Sequence, residues 1–231
     1  MRALDDHEAA VQQPCLHWHD LRLAGAAPTA PGWSKTLSPG LILLLDASGD
    51  AAAPWLPVLA GRVPALSGQL HCGGVDSRHL QAYAAQVFWQ NPREPLARRE
   101  QLVSEWVAQT AQRWPLWDEA AWQRHVQGFV LKPQLGKPLW HLSTGSLRKL
   151  WMAAALASGA KLTVIDEPTA GLDGTALRYL QQALDALGAQ LADAEAEDAA
   201  EVPPRWVLVA HWEALSDVTW DALVELPDPV G

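Results

Sequence analysis

The chain has 231 residues, 49% of them hydrophobic and 19% charged, enough for one substantial core and near the upper size for a single unit. A formal charge of -9 disfavours broad contact with a phosphate backbone, so nucleic acid is not an expected partner. The longest aliphatic run, residues 41–45, falls far short of the ~20 apolar residues that cross a bilayer, no basic-then-apolar leader follows Met1, and Cys15 and Cys72 lack a paired spacing; a cytoplasmic protein without its own membrane span is expected.

Residues 16–23 alternate apolar and polar side chains and read as a half-buried strand, followed by a Pro/Gly/Ala connector over 24–31. Residues 41–45 are apolar at every position behind Pro39-Gly40, the pattern of a strand buried on both faces of a parallel sheet. A helix is expected to begin near Pro54 and continue through 58–63, since proline is tolerated in a first turn. Residues 68–74 read as a turn-rich strand edge, and Val87-Phe88-Trp89 as a short strand ending at Gln90-Asn91-Pro92. From Arg93 to about Trp140 the texture changes to Glu, Gln, Arg, Ala and Trp, with Leu102, Trp106 and Val107 at helical spacings. A helix over 144–158 is expected with Ser143 as its cap, then a buried strand over 162–165, a helix over 175–192 and a strand over 206–210. The acidic tract at 193–201, ending in Pro203-Pro204, reads as a solvated loop. The whole is expected to be one domain, with a core of residues 1–92 and 159–231 and a helical subdomain over about 93–158.

Chemistry concentrates at a few points. A buried strand ending in Asp166-Glu167 holds two carboxylates rigidly at the C-terminal edge of a parallel sheet, where ligands of open α/β folds bind. Ala170-Gly171-Leu172-Asp173 follows directly. Leu142-Ser143-Thr144-Gly145-Ser146 puts small residues at a helix N-terminus, where free amides and the helix dipole attract an anion. His211 ends the apolar run 207–210, and Gln90 ends the strand before the helical insertion.

In this order the segments resemble the motifs of ABC-type nucleotide-binding domains, over roughly residues 85–215. The resemblance implies an α/β, P-loop NTPase-like core, mainly a parallel sheet with an N-terminal antiparallel β portion, plus a helical subdomain. It also implies ATP and Mg²⁺ as cofactors. Asp166 would bind the metal through water, Glu167 would polarise the attacking water, His211 would contact the γ-phosphate, and Gln90 would sense metal and membrane partner. Ser143, Thr144 and Gly145 would hold the γ-phosphate of a facing subunit, and Asp173 would lie in the loop that crosses between subunits. Ser146 stands where the signature usually has Gln, while Arg148-Lys149 keeps the basic character that follows it. The implied partners are a membrane-spanning transporter subunit and a second ABC ATPase subunit, in a homodimer or heterodimer, with the chain peripheral at the inner face of the membrane.

One element departs from the family. A phosphate loop reads G-x-x-x-x-G-K-[ST], its glycines letting amides wrap phosphates while Lys and the hydroxyl meet phosphate and metal. Here Asp46, Ala51, Ala52 and Ala53 occupy those fixed positions and only the interior Gly49 remains. Each like-charge pair near 4 Å costs up to ~4 kcal/mol at an effective dielectric of 20, so Asp46 and Asp50 oppose a polyphosphate. The aromatic residue on which the family stacks adenine falls near Gly25, with Trp18 the nearest aromatic. The leading expectation is a transporter subunit with a silent or weak site of its own that lends its signature to a partner. Two alternatives stay open: a non-enzymatic scaffold or regulator of a membrane complex, and an active homodimer whose amides near Ser48, Gly49 and Asp50 still cradle an anion.

Two further features have readings. His17-Trp18-His19 alternate on a strand with no carboxylate or cysteine cluster, and read as surface histidines. Trp89, Trp106, Trp114, Trp117 and Trp122 fall either in the packing of the helical subdomain or in a groove for the membrane partner.

Overall fold

A computed structural model describes residues 15–27, 29–196 and 203–229. Two sheets organise it. An antiparallel sheet of order β2-β1-β4-β5 is built from β1 (Leu16–Arg22), β2 (Trp33–Leu37), β4 (Ser67–Cys72) and β5 (Val75–Asp76). The larger sheet has the order β6-β7-β8-β3-β9, from β6 (Val87–Trp89), β7 (Leu162–Asp166), β8 (Trp206–His211), β3 (Gly40–Leu45) and β9 (Ala222–Glu225), and every pairing in it is parallel. The expected α/β class with a separate antiparallel portion is what the chain adopts.

The apolar run of β3 is buried on both faces because the sheet divides two cores. Ile42, Leu44, Leu208 and Ala210 face α1 (Ala52–Leu59) and the antiparallel sheet, whereas Leu41, Val207, Val209 and Ile165 face the helices on the other side. This alternation is the period-2 consequence of the strand pleat. The second core gathers α4 (Glu119–Gly128), α5 (Thr144–Ala157) and α6 (Gly174–Ala196). Between β6 and α5 the chain is helical, with α3 (Val103–Arg113) preceding α4 and short 3-10 turns at Lys132–Gln134 and Leu139–His141.

Several sequence expectations shift. The first helix begins at Ala52, two residues before Pro54, and stops at Leu59 instead of continuing to residue 63, because Gly61 turns the chain at φ +64. Helix α6 runs to Ala196, so residues 193–196 of the acidic tract are helical and not loop; residues 197–202 lie outside those described. Four short elements had no pattern to reveal them: β2, β5, α2 (Leu80–Ala85) and β9. Of the clustered tryptophans, Trp89, Trp114 and Trp122 are buried, and Trp106 and Trp117 pack against the second core. His17 stacks on His71 with ring centroids 4.7 Å apart. Among the described residues, no helix is long and apolar enough to cross a membrane.

Leu208 on the central strand is fully buried, whereas Leu66 is 61% exposed. Leu208→Ala is expected to cost about 3 kcal/mol in urea denaturation through lost contacts and a residual cavity, and Leu66→Ala less than about 0.5 kcal/mol.

Candidate functional site

Four strand ends meet at one edge. In register, Leu45 pairs with His211, Asp166 with Ala210 and Trp89 with Val164, so Asp46, His211, Asp166-Glu167 and Gln90 emerge side by side. The backbone stitches them: Asp46 N donates to His211 O and Glu167 N to Ala210 O, both at 2.9 Å.

The loop after β3 folds around its own first side chain. Asp46 is 3% exposed, and its carboxylate accepts from Gly49 N at 2.9 Å, Ala51 N at 3.2 Å, Ala52 N at 2.8 Å and the Ser48 hydroxyl at 3.0 Å. Converging amides at the start of a helix form an anion-binding nest, and here the anion is a side chain of the same loop. Gly49 makes the turn at φ +79. Burial pushes the Asp46 carboxyl up, but the Ala52 and Ala51 amides, the Ser48 hydroxyl and the Gly49 amide outweigh it and hold it below the usual range. Ala52 and Ala53 offer neither a cation nor a hydroxyl.

The two carboxylates after β7 are also partnered. Asp166 has a buried carboxylate that accepts a hydrogen bond from Arg93 Nη1, and Arg93 Nη2 lies 3.6 Å from Glu167 Oε1. Arg148, one turn into α5, donates from Nη1 to the carbonyl oxygens of Asp166 at 3.1 Å and Glu167 at 2.6 Å. Those bonds clamp a strained turn, for Glu167 has φ +42, a conformation that residues other than glycine rarely adopt. Burial raises the Asp166 carboxyl to about 6, with Arg93 opposing and Glu167 reinforcing the shift.

His211 is 2% exposed. Its Nδ1 lies 2.8 Å from the Glu213 carbonyl oxygen and 3.2 Å from the Glu213 amide nitrogen, and its Nε2 lies 2.8 Å from the Thr169 hydroxyl. Both ring nitrogens are thus engaged within the chain. Gln90 lines the same small cavity as Asp166 and Arg148.

The signature segment has a different character. Ser143 caps α5, its hydroxyl oxygen accepting from Ser146 N at 3.2 Å, and Ser143 and Thr144 are exposed. Gly145 lies so close to the Gly171 carbonyl that a Cβ would collide with it, which welds the signature to the loop leading to Asp173. Lys149 Nζ donates to Asp173 Oδ2 at 2.7 Å, and Asp173 caps α6 by accepting from Thr175 N and Ala176 N. The Lys149 hydrogen bond, with that of the Ala176 amide, pulls the Asp173 carboxyl down to about 2. Trp18 is buried, 4.6 Å from Trp33 between ring centroids, and presents no face on which a base could stack.

Arg93, Arg148, Thr169 and Lys149 escaped the sequence reading as individual site residues. Arg148 and Lys149 were visible only as basic character behind the signature, and nothing nearby in sequence marks Arg93, whose acidic partner lies 73 residues away.

No family model matches the chain. Among curated proteins it is 32% identical over 160 residues to the cytochrome c biogenesis ATP-binding export protein CcmA of Ruegeria pomeroyi, covering 68% of this chain and 72% of that protein. It is 29% identical to the protein of the same name from Roseobacter denitrificans, covering 70% and 72%. To a putative ABC transporter ATP-binding protein of Archaeoglobus fulgidus it is 27% identical, over 62% of each. Among solved structures, a putative ABC transporter ATP-binding protein from Pyrococcus furiosus superposes with a TM-score of 0.68 at 18% identity, covering 92% of this chain and 97% of that one. An ATP-binding subunit of an ABC transporter gives 0.64 at 19%, covering 85% and 78%. These structural likenesses speak to fold.

Asp46→Ala would strand the amides of Gly49, Ala51 and Ala52 and is expected to lower stability by about 2–4 kcal/mol in urea denaturation. Because the folded carboxyl titrates below its unfolded value of ~3.9, its contribution is complete above that value and is lost as pH falls through the lower folded value. The stability gap between wild type and Asp46→Asn is therefore expected to hold constant from about pH 5 to 8 and to narrow as pH falls below the unfolded value of ~3.9.

Proposed function

Since this chain belongs to the ATP-binding proteins of ABC transporters, we propose that it is the nucleotide-silent member of an asymmetric ATPase pair, lending Ser143, Thr144 and Gly145 to the intact phosphate loop of a partner subunit. The observation that carries this reading is the contrast between two amide clusters. The one in the loop after β3 is filled by Asp46, while the N-terminus of α5 stands exposed and rigidly backed by Gly171.

Mg-ATP does not suit the chain's own pocket. A triphosphate would have to displace a buried carboxylate from the amides it needs, with Ala52 in place of a lysine and Ala53 in place of a metal-binding hydroxyl. Trp18 is unavailable to adenine. Glu167 and His211 remain as family residues, and we assign them no catalytic step in this chain. Asp166 and Gln90 hold the positions of the family's metal-sensing pair, and Asp173 that of its subunit-crossing loop. We read the chain as one domain with a helical portion over residues 93–158, seated beneath a membrane-spanning subunit on the cytoplasmic side. Both relatives of which it covers 72% are named cytochrome c biogenesis export proteins, so export in that setting is the first cargo assay to make.

The test uses the assembled complex. Ser143→Arg in this chain is expected to lower ATP hydrolysis about 100-fold or more by blocking the γ-phosphate seat, whereas Glu167→Gln in this chain leaves it within about twofold. If Ser143→Arg has no effect, the lent signature fails and a scaffold role gains. Abolition by Glu167→Gln instead points to an active site in this chain.

A further inference from the structure

The acidic pair after β7 has a cation of its own. We propose that Arg93 takes the place of the metal: its guanidinium, together with that of Arg148, brings to Asp166 and Glu167 the two positive charges that a magnesium ion would supply, so the pair is held with no metal bound. This rests on the reading that the chain's own site is silent.

Geometry carries the argument. Arg93 reaches both carboxylates with one planar fork, Nη1 on Asp166 and Nη2 3.6 Å from Glu167. A fixed fork that stays charged at all ordinary pH values suits a pair of neighbouring carboxylates. The turn that aims it is built locally: Asn91 accepts from Arg93 N at 3.0 Å and donates to Glu94 Oε1 at 2.9 Å. Arg148 arrives from α5 on the backbone side of the same two residues. One guanidinium thus faces the two carboxylates, and a second, from a separate element, their carbonyl oxygens.

The atoms left over point the same way. Asp166 Oδ1 is buried without a donor and Arg148 Nε without an acceptor, and both residues line a cavity of about 20 Å³. That is room for one water, which can give one hydrogen bond and take another. A magnesium ion instead demands six oxygens in a near-octahedral shell and sheds its water reluctantly, and an N–H cannot be part of such a shell. An approaching dication would also meet a guanidinium already seated on both carboxylates.

Arg93 has a side chain 38% accessible, so its replacement spares the core. The experiment is a titration of the full chain with Mn²⁺, without nucleotide, followed by electron paramagnetic resonance of the free ion. Wild type and Arg93→Lys are expected to bind weakly, Arg93→Gln about tenfold tighter or more, and Arg93→Gln with Asp166→Asn weakly again. Equal affinity of wild type and Arg93→Gln, or no binding by either, would overturn the assignment. Nucleotide is left out, so this result stands apart from the hydrolysis test of the lent signature, and either can fail alone.

Discussion

The structure turns on one carboxylate in one ring of amides. Asp46 directly follows strand β3, and its side chain bends back to accept from the backbone of residues 49, 51 and 52. An amide nest at a helix start carries partial positive charge and binds whatever anion reaches it. A tethered carboxylate reaches it without the cost of bringing a second molecule to the site, and it arrives with the turn it stabilises already folded. The start of α1, the path of the loop and the closed state of the pocket all follow from that contact.

A matching substitution governs the other half of the edge. Where a metal-dependent site needs an open acidic pair, this chain places Arg93 across Asp166 and Glu167 and braces their backbone with Arg148. The strained φ of Glu167 is braced by these contacts and by its amide bond to the Ala210 carbonyl. With His211 bonded at both ring nitrogens, Asp46, Glu167 and His211 all find partners within the chain. The signature helix, by contrast, keeps its first residues exposed, and its rigidity comes from the Gly145–Gly171 approach and the Lys149–Asp173 pair behind them. One surface is occupied by the chain's own side chains and the other is exposed, the division on which the proposed role in a pair rests.

How much of this was legible depended on range. Strands β3, β7 and β8 announced themselves because a run buried on both faces has no polar positions to blur it, and Ser143 was legible as a cap because capping is local. The short elements β2, β5, α2 and β9 offered too few residues for any period to emerge. Helix α1 was placed late because its start is set by Asp46 and not by Pro54; the clue was an Asp followed closely by Ser and Gly, residues that favour local side-chain to backbone bonds. Sequence alone marked Asp46 as a lost glycine and an added repulsion, whereas folding makes it the occupant. Arg93 was invisible in principle, since its role exists only once β6 and β7 lie side by side.

The most direct measurement is electron density in crystals of this chain grown with saturating Mg²⁺ and a non-hydrolysable ATP analogue. The account predicts the Asp46 carboxylate still seated on the amides of Gly49, Ala51 and Ala52, with no triphosphate against residues 46–54. Density for a β-phosphate on those amides, with Asp46 turned away, would contradict it.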